Sequence, residues 1–174
     1  MSGRLHWRPI RSKLSDMSNT TFVLLVLCVG ALCGLRTFTP LAIFTIALHH
    51  DRFSLAGTPL AFLGTFAAHI VIVLLAIGEL IADKLPAMPS RLRPQGLMGR
   101  AALGAVTCAA YALAQHHAVL LPAVLGIIGA IAGAFLGNRA RSVLARAFKS
   151  PDLPIALLED AICIIGSLFI FMRA

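Results

Sequence analysis

The stretch "VGALCGLRTFTPLAIF", Val29 to Phe44, decides the fold: an apolar run carries an arginine, two threonines and a proline at its middle. On both sides of it the chain is equally apolar. The sequence is 59% hydrophobic and only 13% charged, with a mean hydropathy of +0.89. A surface of that composition cannot stay in water, so the sequence reads as an integral membrane protein rather than a soluble domain.

An apolar helix of about 20 residues crosses a hydrocarbon core of about 30 Å. That rule divides the chain into an all-α, polytopic helical bundle of five membrane segments. They cover residues 20–48 with a break at 35–40, 59–82, 97–115, 119–138 and 154–172. A single membrane domain, residues 20–174, follows a basic tail over residues 1–19. The net charge of +8 would suggest nucleic acid in a soluble protein. Here the basic residues lie between apolar segments, so the expected partners are the bilayer and its anionic headgroups. Arg4, Arg8, Arg11 and Lys13 precede the first segment; Lys84, Arg91, Arg93 and Arg100 follow the second; Arg139, Arg141, Arg146 and Lys149 follow the fourth. With five crossings the positive-inside rule predicts a cytoplasmic amino terminus, an outer carboxyl terminus and an uncleaved first helix, in the pattern of an inner-membrane protein.

Residues 30–36 read "GALCGLR" and residues 133–139 read "GAFLGNR". Each precedes a proline-led segment, from Pro59 and from Pro154. Read as a repeat, this mates the first segment with the fourth and the second with the fifth, and an odd separation makes the halves inverted. Gly30 and Gly34, and Gly129, Gly133 and Gly137, keep the four-residue spacing that lets helix backbones approach. The first and fourth helices are therefore expected to pack together; pairing of these faces between subunits of a homo-oligomer is the other reading.

The strings "GLRTFTPLA" (34–42), "GELIADKLP" (78–86) and "SPDLPIALLEDAI" (150–162) together resemble the bacterial membrane proteins grouped as domain of unknown function 4126. The resemblance runs from about Leu27 to Leu168. It implies a compact helical membrane protein and brings no catalytic or ligand residues with it.

Arg36 is the central charged group. Counted along a helix from Thr20 it lies about 24 Å up, toward the outer part of the bilayer. Thr39 before Pro40 reads as the start of a second, shorter helix, with the threonine hydroxyl as cap and proline at the first position. A half-helix amino terminus with Arg36, Thr37 and Thr39 beside it is a candidate anion seat. The alternative is an arginine that snorkels to headgroups or pairs with a carboxylate to hold the fold. At the inner mouth, Glu79 and Asp83 stand four apart beside Lys84, with Glu159 and Asp160 at similar depth and Arg139 entering from the fourth segment. These six form a candidate ionic cluster or a site for proton or cation coupling, with Glu79 and Glu159 as the proton carriers. His69, mid-segment, is a secondary relay candidate. The pairs His49 with His50 and His116 with His117 lack the ligands to complete a metal site. Cys28, Cys33, Cys108 and Cys163 read as packing residues. The stretch "NRARSVLARAFKS" is expected to lie on the inner surface as an amphipathic helix.

No catalytic motif and no cofactor fingerprint appears, so no cofactor is expected and the sequence does not read as an enzyme. Two readings lead, a small inner-membrane transporter or permease for an anionic solute or lipid phosphate, and a non-transporting scaffold or assembly factor whose buried charges are structural; a membrane enzyme acting on lipid phosphates, with Arg36 for binding and an acidic residue as base, comes third.

Overall fold

The computed structural model describes residues 19–84, 93–148 and 152–173. The basic tail falls outside that set but for Asn19, as do the linker residues 85–92. Six α-helices are present among the described residues: α1 (Asn19–Leu35), α2 (Thr39–His49), α3 (Phe66–Ala82), α4 (Pro94–Ala114), α5 (Leu120–Phe148) and α6 (Asp152–Arg173). A 3-10 turn at Ala61–Gly64 precedes α3. No strand occurs among these residues. Three helices, over Pro94–Ala114, Leu120–Arg146 and Leu153–Met172, are long and apolar enough to cross a membrane.

The interruption at Arg36 is a reversal, not a kink. α1 stops at Leu35, and Pro40 sits in the first turn of α2, where a missing N–H costs nothing. Phe22 near the start of α1 and Phe44 in α2 both approach Tyr111 of α4, with ring centroids 6.0 and 6.5 Å away. After Arg36 the chain has therefore turned back toward the end from which α1 came. Sequence spacing locates such a break without giving its angle, which is why a single broken crossing was expected.

That extra reversal changes the topology. Gly30 lies on Gly126, Gly34 on Ala130 and Gly133, and Leu35 on Gly137, so the residue numbers rise together and α1 and α5 run parallel. A Cβ at Gly34 would sit 2.2 Å from the Ala130 carbonyl oxygen, and one at Gly133 2.2 Å from that of Ala31. The glycine spacing thus marks a close helix contact within one chain. The expected inverted relation between the first and fourth segments does not hold. The two similar stretches instead lie in hairpins that run the same way, α1–α2 and α5–α6, with Pro40 and Pro154 near the start of the second helix of each.

The ends of the bundle differ in character. Phe22, Phe44, Phe53, Tyr111 and Phe171 gather at one end, where the Phe171 ring lies 5.2 Å from Phe44 and 5.5 Å from Tyr111. α1 starts and α6 finishes at this aromatic end, so both ends of the described chain share a side, where opposite sides were expected. Lys84, Arg93, Arg139 and Arg141 belong to the other end, and the basic clusters no longer select one orientation.

Two boundaries also move. Thr65, in extended conformation, caps α3 by accepting from the Ala68 N–H, so the expected segment 59–82 becomes a helix only from Phe66. α5 continues through Phe148 without a break, because nothing after Gly137 resists a helix: the residues are mainly Ala, Arg, Leu and Val. The surface helix expected for 138–150 is, in its described part, the last turns of α5.

Candidate functional site

The ionic end is built from three chain segments that sequence distance keeps apart. α1 delivers Arg36, α3 delivers Glu79 and Asp83 at its last turn with Lys84 just beyond, and α6 delivers Glu159 and Asp160. Reversal at Arg36 puts that side chain level with the end of α3 and the start of α6, not at the opposite depth expected from a helix rising straight out. Arg36 is fully buried. Its guanidinium pairs with Asp83 and with Asp160. Asp160 also takes Lys84 Nζ at 2.7 Å, and the same ammonium donates to the Leu80 carbonyl at 2.7 Å. One arginine therefore joins α1 to α3 and to α6, the kind of pairing a charge needs away from water.

Glu79 does something the sequence did not suggest. Its carboxylate accepts the backbone N–H of Thr37 at 2.6 Å through Oε1 and that of Phe38 at 2.9 Å through Oε2. The N-cap of α2 is Phe38, which offers no side-chain cap. A carboxylate from α3 thus occupies the positive end of a helix whose own sequence supplies no acid there. Thr39, expected as the cap, is instead the first residue of α2. Its Oγ1 is buried without a hydrogen-bond partner among the described residues, as is Arg36 Nε. Three carboxylates, Glu79, Asp83 and Asp160, face two cations and the helix amino terminus, so the cluster is near neutrality within itself.

Glu159 turns toward α5, and Arg139 lies on the outer flank of that helix. Glu159 is buried beside Gly137, where an added Cβ would come 3.3 Å from Oε1. It lines a groove of about 250 Å³ between α5 and α6 that Leu35, Arg141 and Leu144 also border. Gly137, Ala140, Arg141 and Leu144 share one helical stripe, which faces α6. Arg139 lies two positions from Gly137, about 200° around the helix, and is exposed on the opposite flank. Its expected place in the cluster is therefore taken by no arginine from that flank.

His69 sits about 15 Å from Glu79 along α3 and belongs to another contact. Thr45 Oγ1 donates to the Ala42 carbonyl at 2.7 Å and stands 3.0 Å from His69 Nδ1, so the ring nitrogen is the donor in that pair. His49 Nδ1 lies 3.0 Å from the Thr45 carbonyl, and the two imidazole rings are 4.6 Å apart. This polar knot fastens α3 to α2 near the aromatic end. His117 stacks on Phe22 at 4.0 Å. No group of three or more His, Cys, Asp or Glu side chains converges on a metal position among the described residues. Cys33, Cys108 and Cys163 are buried free thiols; Cys108 and Cys163 point at the carbonyls of Val26 and Leu32 in α1.

The ionic end and the His69 contact both lie within the span of one family model, which matches residues 23–173. The chain belongs to the family described as domain of unknown function (DUF4126). The match takes in the Arg36 reversal, the Glu79–Lys84 turn and the Glu159–Asp160 pair, so every residue of the ionic end is family territory. No curated protein and no solved structure matches the chain.

Proposed function

We propose that the protein is a permease-like membrane protein for an anionic solute or a lipid phosphate. Its seat is the head of α2: the side chains of Arg36 and Thr39 with the backbone N–H groups of Thr37 and Phe38. One observation carries this reading. The Glu79 carboxylate already lies across those two N–H groups, so the position binds an oxyanion that the chain itself supplies. An incoming phosphate or carboxylate replaces Glu79, which is only half-buried and can swing toward solvent. Arg36 Nε and Thr39 Oγ1, buried without described partners, give the entering anion donors that Glu79 leaves unused. Binding at this site involves no bond making, and we read the protein as non-enzymatic. The membrane is that of the bacterial cytoplasm, following the family resemblance.

A second reading is favoured by one specific feature. Arg36 is matched by two aspartates from two other helices, which is what a structural clasp requires. In that reading the protein is a scaffold whose charges hold α1, α3 and α6 together.

Thermal unfolding of the detergent-solubilised full chain separates the two. The probes are inorganic phosphate, glycerol phosphate, a short carboxylate and phosphatidylglycerol. The Glu79→Gln variant weakens the internal competitor, so an anion at 100 times its Kd for the variant should stabilise that variant by about 2.7 kcal/mol and the wild type by less. Adding Arg36→Lys should remove that response. Folded variants that respond to no probe would leave the scaffold.

A further inference from the structure

The carboxyl half of α5 carries a feature that the Arg36 site does not use. α5 has 29 residues and extends about 43 Å, which exceeds a hydrocarbon core of about 30 Å. Its level is fixed internally: Gly137 lies on Leu35, the last residue of α1. Everything after Gly137 therefore lies where the shorter α1 has already ended, at the boundary between hydrocarbon and headgroups.

On the outer flank of this stretch a groove of about 490 Å³ is lined by Phe135, Leu136, Arg139, Ser142, Val143 and Arg146, together with Asn138. The lower part is apolar and open, with Phe135 50% and Leu136 67% exposed, and Val143, 50% exposed, stands between the levels of Arg139 and Arg146. The upper part is cationic. Arg146 Nε donates to the Ser142 carbonyl one turn back at 3.0 Å, and Ser142 Oγ donates to the Arg139 carbonyl at 2.8 Å. That first bond draws the Arg146 guanidinium down toward Ser142, and Arg139, two turns below Arg146, lines the same groove. Neither arginine has a carboxylate partner among the described residues. Arg141, on the other flank, faces the α5–α6 groove and takes no part.

We infer that this flank is a binding site for one anionic phospholipid, independent of the Arg36 seat. The phosphate sits between Arg139 and Arg146 with Asn138 and Ser142 beside it, and an acyl chain runs down over Leu136 and Phe135. The argument is charge complementarity with amphipathic order: an unneutralised cation pair at headgroup level directly above an exposed apolar strip. A zwitterionic lipid offers the same chain but no net charge to the two arginines.

The test is native mass spectrometry of the full chain, titrated with phosphatidylglycerol or phosphatidylcholine. The wild type should bind one phosphatidylglycerol in preference to phosphatidylcholine. The double variant Arg139→Gln with Arg146→Gln should weaken that first binding event about 30-fold, the effect of two interfacial cations together. Ser142→Asp, which places a negative charge between the arginines, should weaken it as well. Arg52→Gln, at the opposite end, should not. Equal binding of the two lipids by the wild type, or an unchanged phosphatidylglycerol affinity in both the double variant and Ser142→Asp, would overturn the inference. Because all these variants keep Arg36 and Glu79, the result stands apart from any result at the α2 seat.

Discussion

The two parallel hairpins, α1–α2 and α5–α6, start from nearly the same words and use them differently. Both have a glycine-spaced helix whose glycines lead into Gly-x-Arg, and both have a proline heading the next helix. In the first, the helix stops at Leu35 and the chain reverses within three residues, so Arg36 turns inward against Asp83 and Asp160. In the second, the helix runs on to Phe148, and Arg139 turns outward beside Arg146. The place where a helix stops decides whether its arginine becomes a buried clasp or a surface cation.

The largest test of that contrast is to delete each arginine. Arg36→Ala removes the buried cation that Asp83 and Asp160 share and should cost about 3–5 kcal/mol, read by thermal unfolding of the purified chain. Arg139→Ala should stay within about 0.5 kcal/mol. Equal costs would erase the distinction.

The helix contact that the hairpins share comes next. Gly34→Val pushes a side chain into the Ala130 carbonyl and the Gly133 backbone, and should destabilise by about 1–3 kcal/mol or more. Gly78, on the outer helix α3, has nothing within 4 Å of where a Cβ would be. Gly78→Ala should therefore stabilise by about 0.5–1 kcal/mol through the gain in helix propensity. A matching loss at both glycines would mean that the close approach of α1 and α5 is not what the spacing serves.

A third comparison sharpens the role of the cap. Glu79→Gln keeps an acceptor oxygen but loses the charge at the α2 terminus, and should cost about 1–2 kcal/mol when no anion is present. The smallest effect is at the other end of the same helix pair. Thr45→Val with His69→Ala, taken as a double-mutant cycle, should give a coupling of about 0.5–1.5 kcal/mol. A coupling near zero would remove the polar knot from the account of how α3 is held.

What the sequence disclosed follows the same division. Helical membrane segments, the break near Arg36 and the glycine-lined contact were legible because each depends on local composition or on a fixed period. The reversal was not, because Thr37, Phe38 and Thr39 permit either a kink or a turn, and the turn is held by distant partners: Glu79 on the Thr37 and Phe38 N–H groups, and Tyr111 and Phe171 against Phe44. Every topological error came from that one angle: the inverted repeat, the opposite termini and the distant placement of Arg36. Arg36, Glu79, Asp83, Lys84 and Asp160 were each recognisable as charges needing partners, yet their grouping could not be read from spacing. Glu79 as the cap of α2 was hidden for a further reason. It lies 41 and 42 residues from the N–H groups it accepts; the hint in the sequence is a helix start whose own first turn holds no acid.

The most direct test of the central claim, that the head of α2 is an anion seat kept occupied by Glu79, is native mass spectrometry of the full chain purified from the membrane. Wild type, Glu79→Gln and Glu79→Gln with Arg36→Lys are compared, all verified as folded. The account predicts a retained anionic solute or phospholipid that is more abundant in Glu79→Gln than in wild type and disappears when Arg36→Lys is added. Identical spectra for the three folded proteins would contradict it and leave Arg36 and Glu79 as structural clasps.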